Sequence, residues 1–124
     1  MLENTRREKA GSRFIGIIAA GKLVIDAVKK AVYFGSNRIP LTAGEYRILE
    51  YLALNAGRPV SQEEILECAM SYQIAPTTTT VGTRICLLRR KLNLHGIGDK
   101  IQTIRGLGYA FSGPTRVSPC RNEM

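Results

Sequence analysis

The chain has 124 residues, which is enough for one domain with its own core and too few for two well-buried domains. Hydrophobic residues make up 44% of it and charged residues 23%, and its apolar runs are far too short to span a bilayer, so a soluble cytoplasmic protein is expected. The net charge of +8 points to a polyanionic partner.

The cysteines and the single histidine do not form a recognisable site. Cys68, Cys86 and Cys120 make an odd count without paired metal-ligand spacing, and His95 stands alone near glycines. We therefore expect reduced thiols, no bound metal and no cofactor. An enzyme is not expected either, because no nucleophile with a base and no carboxylate pair can be recognised.

Short β-prone runs follow a polar segment at residues 1–13, which we interpret as a flexible arm. Gly21 and the stretch Gly35-Ser36-Asn37 supply turns between these runs. The spacing predicts a small antiparallel meander. The predicted strands are Phe14–Ala19, Lys22–Ile25, Ala31–Phe34 and Arg38–Leu41.

Two capping signals then predict two helices. Thr42 followed three residues later by Glu45 has the form of a capping box, and Gly57 ends the helix that it starts. Ser61 with Glu64 repeats the signal ahead of a shorter helix. Residues 71–79 contain a proline and a run of threonines, so we interpret them as a loop.

The stretch Thr80–Leu92 predicts a third helix with one apolar and one cationic side. Its apolar residues recur at i, i+4, i+7 and i+11 and form one stripe, which consists of Val81, Ile85, Leu88 and Leu92. This stripe should pack inward. The residues that then point outward are Thr83, Cys86, Leu87 and Arg90, and the cationic residues on the flanks are Arg84, Arg89 and Lys91.

The excess positive charge is concentrated around this helix. Residues 77–111 contain six Lys/Arg against Asp99 alone, whereas residues 14–76 contain six of each sign. No aromatic cluster suited to lipid accompanies the block, so nucleic acid is favoured over a membrane surface.

A β-hairpin is predicted after the basic helix. Residues 101–104 and 109–111 are β-prone and flank the stretch Arg105-Gly106-Leu107-Gly108, which places an arginine at the tip. Residues 113–124 contain two prolines and little apolar material and predict a disordered tail. The domain should therefore occupy residues 14–112 and belong to the α+β class.

A sheet, three helices and a hairpin in this order form a winged helix-turn-helix, and from about Gly21 to Phe111 the sequence resembles a particular family. It is similar to the DNA-binding effector domain of OmpR/PhoB-type response regulators. The matching pieces, in order, are residues 23–26 (LVID), 39–42 (IPLT) with Glu45, 49–52 (LEYL), 57–61 (GRPVS), 88–92 (LRRKL) and 104–109 (IRGLGY).

The resemblance implies double-stranded DNA as the partner of a bacterial two-component transcription regulator. The helix Thr80–Leu92 would lie in the major groove and Arg105 would enter the neighbouring minor groove. Tyr109 would belong to the core. The DNA-contacting residues would be Thr80, Thr83, Arg84, Leu87, Arg89, Arg90, Lys91, Thr103, Arg105 and Gly106.

The resemblance also implies a contact with RNA polymerase through the loop before the basic helix. Its candidate residues are Ser71, Tyr72, Gln73 and Thr77. The chain would be a monomer in solution and could bind DNA repeats in tandem. Nothing before Phe14 is long enough for a receiver domain, so we expect either a free-standing regulator or a piece of a longer protein.

The sequence departs from the family in its outward helix residues. Cys86 and Leu87 stand where polar groups are usual, and Gly82 stands where an acid is frequent. Direct readout of bases would therefore depend on Thr83, Arg90 and apolar contact with thymine methyl groups. The alternative is a winged-helix protein-interaction module that uses the Cys86/Leu87 face and has only non-specific affinity for DNA.

Overall fold

The structure, a computed structural model, describes residues 15–70 and 78–119. In this part of the chain, strands β1–β4 span Gly16–Ala20, Leu23–Asp26, Ala31–Phe34 and Asn37–Ile39. Helices α1–α3 span Ala43–Leu54, Gln62–Ala69 and Thr78–Asn93. A 3-10 turn at Gly98–Lys100 precedes β5 (Ile101–Ile104), β6 (Gly108–Phe111) and β7 (Arg116–Pro119). The predicted α+β winged helix-turn-helix is confirmed.

The strands form two antiparallel sheets. The first has the order β4-β3-β2-β1-β7, and the second is the β5-β6 hairpin. The predicted meander of four strands is therefore confirmed. Its inner face carries buried residues such as Ile18, Leu23 and Ile25, which pack against the helices.

The C-terminal segment corrects one expectation. We predicted disorder for residues 113–124, but residues 116–119 form β7 and pair with β1, with Val117 opposite Ile18. The meander leaves one edge of β1 with unpaired backbone groups, and β7 satisfies them. The flexible arm predicted at 1–13 and the end of the predicted tail at 120–124 lie outside the described residues.

The predicted capping box is complete at the start of α1, and α2 begins with a side-chain cap at Ser61. Thr42 Oγ1 accepts a hydrogen bond from the Glu45 amide at 3.2 Å, and the Thr42 amide donates to Glu45 Oε1 at 2.9 Å. The Ser61 hydroxyl oxygen accepts from the Glu64 amide at 3.0 Å. The Glu64 carboxylate also pairs with Arg58 at 2.7 Å, which ties α2 to the connection that precedes it.

The β5-β6 hairpin, which we call the wing, is anchored to the connection between α1 and α2. The Val60 amide donates to the Tyr109 carbonyl at 2.7 Å, and the Tyr109 amide donates back to the Val60 carbonyl at 2.9 Å. The Gly57 amide donates to the Phe111 carbonyl at 3.0 Å. The anchor needs a glycine at 108, because a Cβ there would lie 2.0 Å from the Val60 carbonyl oxygen.

We predict that Gly108→Ala lowers the free energy of unfolding by about 2–4 kcal/mol, because the added methyl group collides with backbone and the φ of +133° is strained for alanine. Gly106→Ala is the matched control. Its φ is +79° but its surroundings are open, so only the left-handed conformation should cost about 1–2 kcal/mol. Denaturant titration that gave equal losses for both variants would contradict the anchoring role of residue 108.

Candidate nucleic-acid interface

The rotation of α3 about its axis is set by its apolar stripe. Val81, Ile85, Leu88 and Leu92 are each 0% exposed and belong to the main core. The inward orientation predicted for these residues is confirmed. Burying four large side chains contributes several kcal/mol, so turning the helix to present another face would be strongly unfavourable.

The side of α3 opposite the stripe is open to solvent. Four exposed residues near the middle of this side, which we call the outward face, are Thr83, Cys86, Leu87 and Arg90. Leu87 is 38% exposed, so a large apolar side chain is accessible to a ligand on this face. The outward face therefore combines two small or apolar groups, one hydroxyl group and one long cation.

Two cations on one flank of α3 contact α1. Lys91 Nζ lies 2.7 Å from Glu45 Oε1, and the Glu45 side chain is only 2% exposed. The guanidinium of Arg84 lies over Gly44, where a Cβ would approach Nη1 to 2.9 Å. Both cations are half-buried, and Lys91 is held by the protein in an ion pair.

The ion pair controls the ionisation of Glu45. Burial by itself would raise the pKa of this carboxyl group. The hydrogen bond from Lys91, the bonds from Thr42 and the Lys91 charge act in the opposite direction and outweigh it, so the pKa of Glu45 is below its ordinary value. Glu45 therefore remains a carboxylate that both caps α1 and holds Lys91.

On the other flank, Arg89 connects α3 to the wing. Its Nε donates to the Ile101 carbonyl at 2.9 Å and its Nη2 donates to the Thr103 hydroxyl at 2.6 Å. The guanidinium also lies 5.6 Å from the centre of the Tyr109 ring. Arg89 and Thr103, both predicted to contact DNA, are thus bonded to each other. Tyr109 is 8% exposed and lies in the core, as expected.

The tip of the wing projects into solvent. Arg105, Gly106 and Leu107 are all exposed, and Gly106 has the positive φ that the turn requires. A groove of about 310 Å³ separates the wing from the start of α2. It is lined by residues 61–63 of α2 with its cap and by Thr103, Ile104 and residues 106–109 of the wing.

The predicted DNA contacts thus divide into separate groups. Thr83, Leu87 and Arg90 share the outward face, and Arg105 and Gly106 share the wing tip. Thr80 is half-buried near the start of α3. The polymerase candidates Ser71, Tyr72, Gln73 and Thr77 lie outside the described residues.

Sequence reasoning missed the residues that position the helix and the wing. Glu45 was recognised as a cap but not as the partner of Lys91, and Gly44 was not recognised as the contact of Arg84. No local signal reveals these pairs, because Glu45 and Lys91 are 46 residues apart in the chain and Gly44 and Arg84 are 40 apart. The pairing of Val60 with the wing also left no pattern in the sequence, because a single residue paired with a distant strand produces no repeating pattern.

A helix with an exposed face of mixed polarity, flanked by cations and supported by an anchored arginine-tipped hairpin, defines a winged helix-turn-helix DNA-binding domain. Within residues 15–70 and 78–119, none of the helices is long and apolar enough to cross a membrane.

Comparison with known sequences identifies the family. Residues 36–111 match the family described as "Transcriptional regulatory protein, C terminal", and the chain belongs to this family of OmpR/PhoB-type effector domains of response regulators. The chain is also similar to the transcriptional regulatory protein VxrB of Vibrio cholerae, with 38% identity over 92 residues. That alignment covers 74% of this chain but only 36% of VxrB, so the chain spans about a third of that relative's length.

Solved structures show the same fold. The DNA-binding domain of the response regulator AdeR, in complex with an intercistronic region, superposes with a TM-score of 0.71 and 25% identity over 77% of this chain and 99% of that chain. The DNA-binding domain of RstA from Klebsiella pneumoniae, in complex with the RstA box, gives a TM-score of 0.66 and 27% identity, covering 77% and 96% of the two chains.

We predict that Lys91→Met lowers the free energy of unfolding by about 1–3 kcal/mol at neutral pH, because it leaves the buried Glu45 carboxylate without its cation. The folded-state pKa of Glu45 is lowered, so its contribution is present above the ordinary carboxyl pKa and is lost as pH falls through the lowered value. The difference between the two proteins should therefore shrink on acidification.

Denaturant titrations at pH 7 and at about pH 3 measure this effect. Arg90→Met is the matched control on the same helix, because Arg90 is exposed and its loss should change stability by less than about 0.5 kcal/mol. A Lys91→Met deficit that stayed constant down to acid pH would contradict the ion-pair assignment.

Proposed function

We propose that this chain binds double-stranded DNA as a transcription regulator, with the outward face of α3 in the major groove and the wing tip in the neighbouring minor groove. The observation that carries the proposal is an exposed helix face whose orientation is fixed by the core, next to a hairpin whose tip bears an exposed Arg105. The AdeR and RstA domains, which share the fold, support DNA as the ligand.

The chemistry of the outward face suits the major groove. A helix fits into this groove only if the groups at the centre of its face are short enough to let the backbone approach the bases. Thr83 and Cys86 are both short. Arg90, one turn beyond Cys86, is long enough to donate two hydrogen bonds to a guanine edge.

Arg89 is well placed to support the DNA backbone while it holds the wing. A guanidinium has five N–H donors, and the bonds to Ile101 and Thr103 use two of them. The remaining donors can bind a phosphate oxygen. We therefore propose that Arg89 and Thr103 form a bracket that positions the wing, and that Lys91 and Arg84 act chiefly by fixing α3 against α1.

The wing tip suits a narrow minor groove. Arg105 is exposed, and the turn at Gly106 brings no bulky side chain next to it. A narrow minor groove concentrates negative potential and attracts a guanidinium without a base-specific hydrogen bond. Arg105 should therefore contribute affinity and a preference for AT-rich flanking sequence.

The remaining partners are proposed by analogy with the family. We propose that the segment containing Ser71, Tyr72, Gln73 and Thr77 contacts RNA polymerase and that the chain can bind tandem DNA repeats as monomers. Because its ligand is chromosomal, we place its action in the bacterial cytoplasm.

A second candidate function rests on the exposure of Leu87. An apolar side chain on an otherwise polar helix face is also a feature of protein-binding surfaces. In that case the outward face would bind another protein, and DNA affinity would be non-specific. Selection of DNA sequences from a random library, described next, separates the two candidate functions.

We predict that selection from a random duplex library enriches a motif, and that Arg105→Ala and Arg90→Ala each weaken binding to it by about 1–3 kcal/mol, or roughly 5- to 150-fold. Arg90→Ala should also relax the preference at one guanine position. Arg38→Ala removes the same charge from an exposed position on β4, an edge strand of the five-stranded sheet, and is the matched control.

Fluorescence anisotropy at fixed salt measures these affinities, because binding to DNA depends steeply on ionic strength. If no motif is enriched, or if Arg38→Ala weakens binding as much as Arg105→Ala does, the positive charge acts only as a non-specific attraction. The protein-interaction function would then be favoured.

A further inference from the structure

We infer that the outward face recognises the 5-methyl groups of thymines, next to a single guanine bound by Arg90. This inference rests on the proposed DNA-binding function and specifies the DNA sequences that it selects. The two residues that carry it are Cys86 and Leu87, which are exposed on the surface that would face the base edges.

Few strong hydrogen-bond donors on α3 extend toward the surface that would face the bases. Lys91 is bonded to Glu45 and Arg89 is bonded to the wing, so both are fixed on the flanks of the helix. Arg84 lies over Gly44. Among the described residues of α3, Arg90 is therefore the cation that extends from the outward face. One arginine can specify one guanine by a bidentate contact.

The outward face is largely apolar at Cys86 and Leu87. A leucine side chain makes no hydrogen bond, and a thiol is a weak donor that cannot form the bidentate contacts that identify guanine or adenine. A cytosine amino group or a guanine carbonyl pressed against Leu87 would lose water without gaining a partner, which is unfavourable. The thymine methyl group is the apolar feature of the major groove. Leu87 therefore favours thymine, because this contact needs no hydrogen bond and leaves no polar base group without a partner.

The surroundings of Cys86 and Leu87 favour DNA over a protein partner. Leu87 is 38% exposed, and the residues that border it are polar or cationic instead of apolar. These residues, Thr83 and Arg90, carry groups that DNA edges accept. We therefore favour the apolar edge of a base as the occupant.

Uracil substitution tests this inference directly, because uracil differs from thymine only by lacking the methyl group. The motif selected above is resynthesised with each thymine replaced in turn by uracil, and the intact chain is titrated with each duplex. Burial of one methyl group predicts about a four-fold loss of affinity at one or two thymines close to the guanine that depends on Arg90.

Two leucine variants identify the side chain responsible. In Leu87→Ala the uracil and thymine duplexes should bind equally well, because the methyl group has lost its contact. Leu94→Ala removes the same side chain from a position that is 81% exposed and lies beyond the end of α3, so it should retain the four-fold preference.

The outcomes separate this inference from the function on which it rests. Failure to enrich any motif would overturn both. An enriched motif in which every thymine can be replaced by uracil without loss, or a Leu87→Ala protein with an unchanged thymine preference, would leave DNA binding intact and overturn the inference alone. In that case Leu87 would be assigned to a protein contact.

Discussion

The burial of four side chains on α3 is the constraint on which the rest of the structure depends. Because Val81, Ile85, Leu88 and Leu92 are fully excluded from solvent, the helix cannot rotate, and the identity of its outward residues follows. The cations divide accordingly, since those next to the stripe are drawn into contacts with the protein and only those far from it extend outward. The core thus determines which residues are available to a ligand.

A second level of organisation connects this helix to the wing. The backbone bonds between Val60 and Tyr109 fix the base of the hairpin, and Arg89 joins its first strand to α3. A helix and a hairpin held in this way keep a fixed position relative to each other, and such preorganisation reduces the entropy lost when a ligand binds. Several of the cations thus help to position the binding surface as well as to attract a polyanion.

The sequence was informative where structure is determined locally. The period of the α3 stripe, the Thr42 cap and the turn at Gly106 each depend on residues a few positions apart, and the structure confirms them. The ion pair of Lys91 with Glu45 and the pairing of β7 with β1 join residues distant in the chain, so no pattern indicated them. The tail was misjudged because its composition resembles that of a disordered segment, although the free edge of β1 provides it with a partner.

The most direct test of this account is a two-dimensional NMR titration of the chain with the selected duplex, since it locates the binding surface residue by residue. We expect the largest amide shifts on the outward face of α3, at Arg89 and at residues 105–107, with the outer face of the five-stranded sheet nearly unchanged. Large shifts confined to that sheet, with α3 and the wing tip unaffected, would contradict the assignment of the DNA-binding surface.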